Sequence, residues 1–283
     1  MGPHTPGVIA RAILIAIVVA TPALLLPFTD PETAQMVMVL ALLAAILTFI
    51  EYNSRYPSII EFRFAPPINR LKFFTLATIL ITLSLMMRGQ VAGSPATIML
   101  TQFADGLGAA VDFPYSPIRL MVLILPPGAD QALIDQMRRA AGLSYTTSLV
   151  MILIFLTLVR FHGWPSRKDG FNVWVNMPLF DPTGGGDVVR RLGRDAALNM
   201  VLGFLLPFLI PAIIGAASNF FDPATITNPH TLIWATTAWA FLPASLLMRG
   251  IAMSRIAAMI DDKRQRTYAA QGAEPASESA QRA

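Results

Sequence analysis

The sequence of 283 residues contains no cysteine. This absence excludes disulfides, thiolate nucleophiles, Cys-ligated zinc and Cys-held iron–sulfur clusters. Histidine is also scarce, with only His4, His162 and His230. A bis-histidine haem needs two ligands at matched depth inside a helix bundle, and the spans derived below place His162 and His230 at opposite ends. We therefore predict no cofactor and no metal site.

Charged residues are scarce as well. They make up 13% of the sequence, against roughly a quarter of a typical soluble domain. Hydrophobic residues make up 54%, and the mean hydropathy is +0.57. The charges are confined to short stretches between long apolar runs, as expected where a hydrocarbon core cannot solvate ions. The pattern predicts an all-α polytopic integral membrane protein.

Six segments approach the length of about 20 apolar residues that a spanning helix needs. The third has only fifteen residues between Lys72 and Arg88, whose side chains we expect to extend to the two membrane interfaces. The first segment could also be a cleaved signal peptide, but its apolar run continues past the small residues of a cleavage site. The segments are 12–28, 33–50, 73–87, 140–159, and two within the uncharged stretches 196–221 and 223–248.

The distribution of Lys and Arg orients these spans. With both termini in the cytoplasm, 17 basic residues fall in cytoplasmic segments and four fall outside, as the positive-inside rule expects. The net charge of +4 then reflects orientation and contact with anionic lipids, not nucleic-acid binding. Eighteen basic residues are arginine, which favours a GC-rich bacterial genome. We therefore expect a location in the bacterial inner (cytoplasmic) membrane.

The predicted organisation has five parts. The final part is rich in Ala, Ser, Glu, Gln and Gly, and such a composition cannot bury enough apolar surface to order itself. The parts are 1–88 with three spans and a cytoplasmic loop at 51–72, an extracytoplasmic connection at 89–139, 140–250 with three spans and a cytoplasmic loop at 160–195, a cytoplasmic amphipathic helix at 251–268, and a disordered tail at 269–283.

The connection at 89–139 is predicted to be a small extracytoplasmic α/β insertion. Residues 97–103 are apolar but too short to span, so we interpret them as an interfacial or re-entrant piece. The apolar run 118–126, which ends in Pro-Pro-Gly, indicates a strand. Residues 130–143 indicate a helix with Asp130 as its N-cap and Gly142 near its end.

Two cytoplasmic segments, 59–65 and 171–177, alternate between apolar and other residues with the period of two that is typical of strands. We predict that they pair with each other beneath the bundle and join two pairs of spans. Their apolar face would then pack on the helix ends, and Glu61 and Arg63 would face the cytoplasm. The residues of the apolar face are Phe62, Phe64, Phe171 and Val173.

A glycine-rich segment before the fifth span is the candidate anion site. Glycines that lead into a helix N-terminus can present backbone N–H groups to an anion, here a lipid headgroup. Asp187 competes with that anion as the expected N-cap, and the alternative is a capped amphipathic helix with arginines on lipid headgroups. The candidate residues are Gly184, Gly185, Gly186, Arg190, Arg191 and Arg194.

The fifth span contains Asn199, Pro207 and Pro211. Proline inside a spanning helix frees carbonyl groups and kinks the chain, and many carriers build a solute site at a broken helix. The alternative is helix packing, which Gly203 and Gly215 favour.

The six predicted spans contain no Asp or Glu, although proton-coupled transporters usually carry such residues within the bilayer. No catalytic arrangement of side chains is found. The favoured hypothesis is a non-enzymatic subunit or accessory (assembly) protein of a membrane complex, with membrane lipids and other membrane subunits as partners and no nucleic acid. The alternatives are a carrier for a neutral or weakly polar solute and a membrane enzyme that acts on a lipid-linked anionic substrate.

Overall fold

The computed structural model describes residues 5–27, 29–55, 58–165, 172–180, 185–217 and 228–281, and these ranges contain helices but no strand. The helices are α1 (Thr5–Leu25), α2 (Pro31–Asn53), α3 (Ile68–Val91), α4 (Pro95–Val111), α5 (Pro117–Leu123), α6 (Gln131–Phe161), α7 (Val173–Asn176), α8 (Val188–Ala216) and α9 (Pro229–Gln281).

Six of these helices are long and apolar enough to cross a membrane, namely α1, α2, α3, α6, α8 and α9. They coincide with the predicted segments, so the prediction of six long apolar helices is confirmed. The third is longer than its uncharged run, because α3 covers 24 residues and includes both Lys72 and Arg88. The predicted boundaries after residues 139 and 250 fall inside α6 and α9, where the helices continue without a break.

The connections between the six long helices collect at two ends of the bundle. We call one the basic end, which contains the described residues of the connections 54–67 and 162–187 and the second half of α9. There the indole Nε1 of Trp164 donates to the carbonyl oxygen of Pro66 at 2.9 Å. The other, the insertion end, contains the connection 92–130 and the start of α9, where His230 Nε2 lies 3.2 Å from Thr29 Oγ1.

Helices α8 and α9 pack closely together because glycine occurs on both. A Cβ atom on Gly203 would lie 2.7 Å from the carbonyl oxygen of Pro243, and one on Gly250 would lie 2.8 Å from that of Ala196. Small residues permit this backbone approach between membrane helices. The buried positions of α8 recur every three or four residues and are Leu192, Ala196, Asn199, Gly203, Pro207 and Pro211.

The insertion is helical, so the predicted strand at 118–126 and the α/β class of the insertion are wrong. Ser116 caps α5, because its Oγ accepts a hydrogen bond from the Arg119 N–H at 3.1 Å, and Pro117 occupies the first turn, where its fixed φ favours a helix start. The apolar run also has the spacing of a helix, since its buried members are Ile118, Met121, Val122 and Leu125. The predicted interfacial segment at 97–103 lies within α4.

Helix α6 begins as predicted, with the Asp130 side chain accepting a hydrogen bond from the Leu133 N–H at 2.7 Å. It does not end near Gly142, and continues into the fourth predicted span. Gly142 has a packing role instead, since a Cβ at this position would lie 2.7 Å from the Cα of Gly108 on α4. The insertion therefore packs directly on a helix that is long enough to cross the membrane.

The two alternating segments contact each other as predicted, but they are not strands. The Phe62 N–H donates to the Asn176 carbonyl oxygen at 2.6 Å, and the Phe64 N–H donates to Asn176 Oδ1 at 2.9 Å. Phe62 has a left-handed φ of 56°, which interrupts an extended strand, and Asn172 caps the short helix α7. Phe171 lies outside the described residues. The alternating pattern over these few residues therefore corresponds to a turn in contact with a one-turn helix, and not to a β-ribbon.

Helix α9 joins the sixth span to the predicted amphipathic helix without a break, and Ala252, Met253 and Ile256 on this continuation are buried. Its backbone remains helical to Gln281, which differs from the disordered tail expected from Ala269 onward. Once a helix exists, each added residue costs little, and Ala, Glu and Gln are good helix formers.

Candidate functional site

The start of α8, where the sequence predicts anion binding, is occupied by a carboxylate of the chain itself. Asp187 is the N-cap, as predicted, and its Oδ1 accepts a hydrogen bond from the Val189 N–H at 3.3 Å. The Arg264 guanidinium lies 2.5 Å from the same carboxylate and is the main reason that the pKa of Asp187 is lowered. Gly186 has a φ of 91°, and Gly184 lies outside the described residues.

Among the described residues, the three arginines of this segment do not converge on Gly185 and Gly186. Arg190 and Arg194 are exposed and lie one turn apart on α8, and Arg194 Nε is 3.8 Å from an oxygen of Asp195. The Arg191 guanidinium instead stacks over the Phe180 ring, 5.2 Å from its centroid. The described geometry therefore agrees with a capped helix, and anion binding by this segment stays a prediction.

The proline-rich part of α8 is packed against its neighbour. Because Pro211 has no N–H, the carbonyl of Pro207, four residues earlier, loses its helical donor. The indole Nε1 of Trp239 on α9 donates to that oxygen at 3.0 Å. Asn199 is also occupied, since its Nδ2 donates to the Asp195 carbonyl oxygen at 2.7 Å. These contacts support the packing interpretation of the fifth span.

A buried carboxylate at the basic end was not singled out from the sequence. Glu51, near the end of α2, is only 5% exposed. Its side chain accepts hydrogen bonds from the backbone N–H groups of Ser58, Ile59 and Ile60 at 3.0–3.2 Å and from the Ser58 hydroxyl at 2.5 Å. Arg63 donates to the backbone carbonyl of Glu51. The only sequence signal was an acidic residue that directly follows a long apolar run.

A second carboxylate joins the same loop to α9. Both oxygens of Glu61 bind the Arg249 guanidinium, Oε2 to Nε at 2.5 Å and Oε1 to NH2 at 2.9 Å. The prediction that Glu61 faces the cytoplasm is therefore wrong, because its side chain is bound to Arg249 on α9. Asn69 on α3 also donates to the Glu61 carbonyl oxygen at 2.8 Å. We call Glu51 and Glu61, with the groups that they bind, the glutamate brace.

Beside the glutamate brace, a cavity of about 460 Å³ lies between α1, α2, α3 and α9. This volume is within the range of about 300–1,000 Å³ that is common for ligand pockets. We call it the α1–α3 cavity. Its apolar walls include Leu14, Ile15, Phe73, Leu76 and Phe241.

Three basic residues, Arg11, Arg70 and Lys72, line the α1–α3 cavity. They lie within the first two turns of α1 and α3, nearest the basic end, so we call this side of the cavity its rim. The Arg11 guanidinium lies 5.0 Å from the centroid of the Tyr52 ring. Within the described part of the chain, none of these three basic residues forms an ion pair with a carboxylate. Both oxygens of Glu61, the acidic residue of the neighbouring loop, bind Arg249 as described above. The rim therefore carries a surplus of positive charge.

Known proteins provide no template for these features. No protein-family model matches the chain, and neither does any curated protein or solved structure. The functional argument therefore depends on the contacts of the chain itself.

Proposed function

We propose that this chain is a non-enzymatic integral membrane subunit, or an accessory protein, that organises a membrane complex. Three polar groups that could have served transport or catalysis, two carboxylates and one freed carbonyl, are engaged within the chain. Glu51 and Glu61 hold the loop between α2 and α3, and the carbonyl freed by Pro211 binds Trp239. These contacts stabilise the chain and leave its exposed surfaces as the functional part.

The observation that carries this proposal is an apolar surface on α4, outside the six long helices. Met99 and Phe103 are 70% and 63% exposed, and Ile98 is 54% exposed. Their helix packs closely on α6 through the contact between Gly108 and Gly142. A fixed, exposed apolar surface that is not needed for crossing the membrane fits a protein partner.

We further propose that the chain lies in a bacterial inner membrane with the basic end and both termini in the cytoplasm. The distribution of 17 basic residues against four supports this orientation. Because the chain has no cysteine, single cysteines report their position cleanly. Residues 32 and 110 should react with an impermeant maleimide from outside, and residues 64 and 265 only after the membrane is opened. Labelling of residue 110 from the cytoplasm alone would contradict the orientation.

Photo-cross-linking in native membranes tests the subunit proposal. A photoreactive residue at position 99 or 103 should give a discrete adduct with a second protein, and the same protein should co-purify stoichiometrically in mild detergent. Ala110, exposed on the last turn of α4, is the matched control position. Purification as a lone monodisperse protein, with no protein adduct at positions 99 and 103, would favour the carrier or the enzyme.

A further inference from the structure

We propose that the α1–α3 cavity binds an anionic phospholipid, with the phosphate at the basic rim and an acyl chain along the apolar walls. This proposal depends on the membrane location proposed above, but not on a protein partner. It concerns residues other than the glycine-rich segment before α8, which the sequence selects as the anion site.

The polarity of the cavity changes with depth in the way that a phospholipid requires. Arg70 and Lys72 lie in the first turns of α3, and Leu76 lies deeper. At a rise of 1.5 Å per residue, Leu76 is about 6 Å from Lys72 and about 9 Å from Arg70 along the helix axis. On α1 the order is the same, since Arg11 precedes the wall residue Leu14 by about one turn.

The charge of the rim favours a phosphate group. Arg11, Arg70 and Lys72 come from two helices and meet at one opening, where the nearby carboxylate of Glu61 is already neutralised by Arg249. Basic pockets between helices at the cytoplasmic side of a membrane bind anionic lipid headgroups. Three cations at one opening match a headgroup with one or two phosphates better than a zwitterionic headgroup.

The walls distinguish a lipid from a free anion. A small anion would use the rim alone and leave the apolar walls without a partner. A neutral solute would use the walls but gain nothing from three cations. Phe74 and Leu14 beside the cavity are 64% and 47% exposed, so the cavity adjoins a surface of the bundle that would face lipid. A phospholipid satisfies the rim and the walls together.

Thermal unfolding and native mass spectrometry of the purified full chain test this proposal. The probes are phosphatidylglycerol, cardiolipin, phosphatidylcholine and inorganic phosphate, each added in detergent. For the wild type, the two anionic lipids should raise Tm by several degrees and remain as mass adducts. Phosphatidylcholine and inorganic phosphate should have little effect. An equal effect of inorganic phosphate would show that the site takes a free anion, which would overturn the proposal.

The double variant Arg70→Gln/Lys72→Gln should reduce retained anionic lipid several-fold. Its matched control is Lys263→Gln/Arg266→Gln, which removes the same charge from exposed positions at the same end of the bundle and should retain lipid like the wild type. The charge-preserving variant Arg70→Lys/Lys72→Arg should restore most of the binding, which separates loss of charge from misfolding. Equal loss in both Gln variants would mean non-specific surface attraction and would overturn the proposal.

The substitution Leu14→Trp tests the acyl chain separately. It adds bulk to the apolar wall and leaves the three rim cations unchanged, so it should reduce lipid adducts several-fold while size-exclusion behaviour stays normal. Full retention of lipid would mean that the walls take no part, which would contradict the proposal. Because each readout uses the isolated chain, a negative result here leaves the photo-cross-linking result unaffected, and the two proposals can fail independently.

Discussion

The two ends of the bundle use their carboxylates differently. At the insertion end, acidic and basic side chains neutralise each other across three helices. Asp112, with its side chain 4% exposed, lies between Arg138 Nε at 2.7 Å and Arg119 Nε at 2.8 Å, and Asp105 pairs with Arg139. At the basic end, the buried Glu51 instead binds backbone N–H groups of a loop, and Glu61 pairs with Arg249. The Asp187–Arg264 pair at this end is exposed.

This difference explains how the insertion end carries four basic residues without presenting most of them as free cations. Three of the four, Arg119, Arg138 and Arg139, have acidic partners. At the basic end Glu51 and Glu61 are engaged in the glutamate brace, and the rim of the α1–α3 cavity keeps its positive charge. The number of unpaired cations at each end thus depends on which groups the carboxylates bind as well as on how many cations are present.

The largest effect is expected from removing the central carboxylate of the insertion end. Asp112→Ala should lower the free energy of unfolding by about 3 kcal/mol, because two arginines lose a buried partner. This is the low end of the usual range, since Arg119 can still reach water with 40% of its side chain exposed. Unfolding by SDS titration in mixed micelles measures the change.

Asp105→Ala is the matched control for that experiment. Its side chain is 49% exposed, and an exposed ion pair contributes less than about 1 kcal/mol. Equal effects of the two substitutions would mean that the burial of Asp112 adds nothing to stability. The proposed difference between the carboxylates of the two ends would then be wrong.

At the basic end, Glu51→Gln should lower the free energy of unfolding by about 2 kcal/mol, because a neutral amide replaces a charged acceptor of several hydrogen bonds. The loss should be local, so hydrogen exchange of residues 58–60 should accelerate more than that of α6. Glu32→Gln, on the exposed first turn of the same helix, should change neither quantity. Unchanged exchange at 58–60 would show that Glu51 does not hold the loop.

In the middle of the bundle, Trp239→Phe should lower the free energy of unfolding by about 1 kcal/mol, because the hydrogen bond to the Pro207 carbonyl is lost. In a Pro211→Ala background the new alanine N–H can bind the same carbonyl oxygen within α8, so Trp239→Phe should cost less there. A double-mutant cycle of unfolding free energies measures this coupling. Identical costs in both backgrounds would indicate that the hydrogen bond contributes nothing to the packing of α8 on α9.

The smallest effect concerns the exposed pair of Asp187 and Arg264. The lowered pKa of Asp187 means that its charge stabilises the fold above the unfolded pKa of about 3.9, and that this contribution is lost as pH falls through the lower folded value. Asp187→Asn keeps a good N-cap residue. The wild type should therefore melt slightly above the variant at neutral pH, and the difference should shrink below about pH 4 and in high salt. A difference that grows on acidification would contradict this assignment.

Several local features could be predicted because their causes lie close together in the sequence. Asp130 and Asp187 were recognised as N-caps, since a cap needs only a side-chain oxygen beside the first helical N–H groups. The prediction of a strand at 118–126 was wrong because its apolar run fits either a strand or a helix. The N-cap at Ser116 favours the helix. The turn at Phe62 was not predicted for a different reason, because Phe62 contacts Asn176, which lies more than a hundred residues away in the sequence.

The sequence by itself determined six long apolar helices and an uneven distribution of basic residues, because length and hydropathy are properties of each segment alone. Only the tertiary structure decided which charges are neutralised. Glu61 meets Arg249 from another helix, and Arg11 meets Lys72 at one cavity, although long stretches of chain separate them. A side chain finds such a partner only when the helices pack, and no local pattern contains that information.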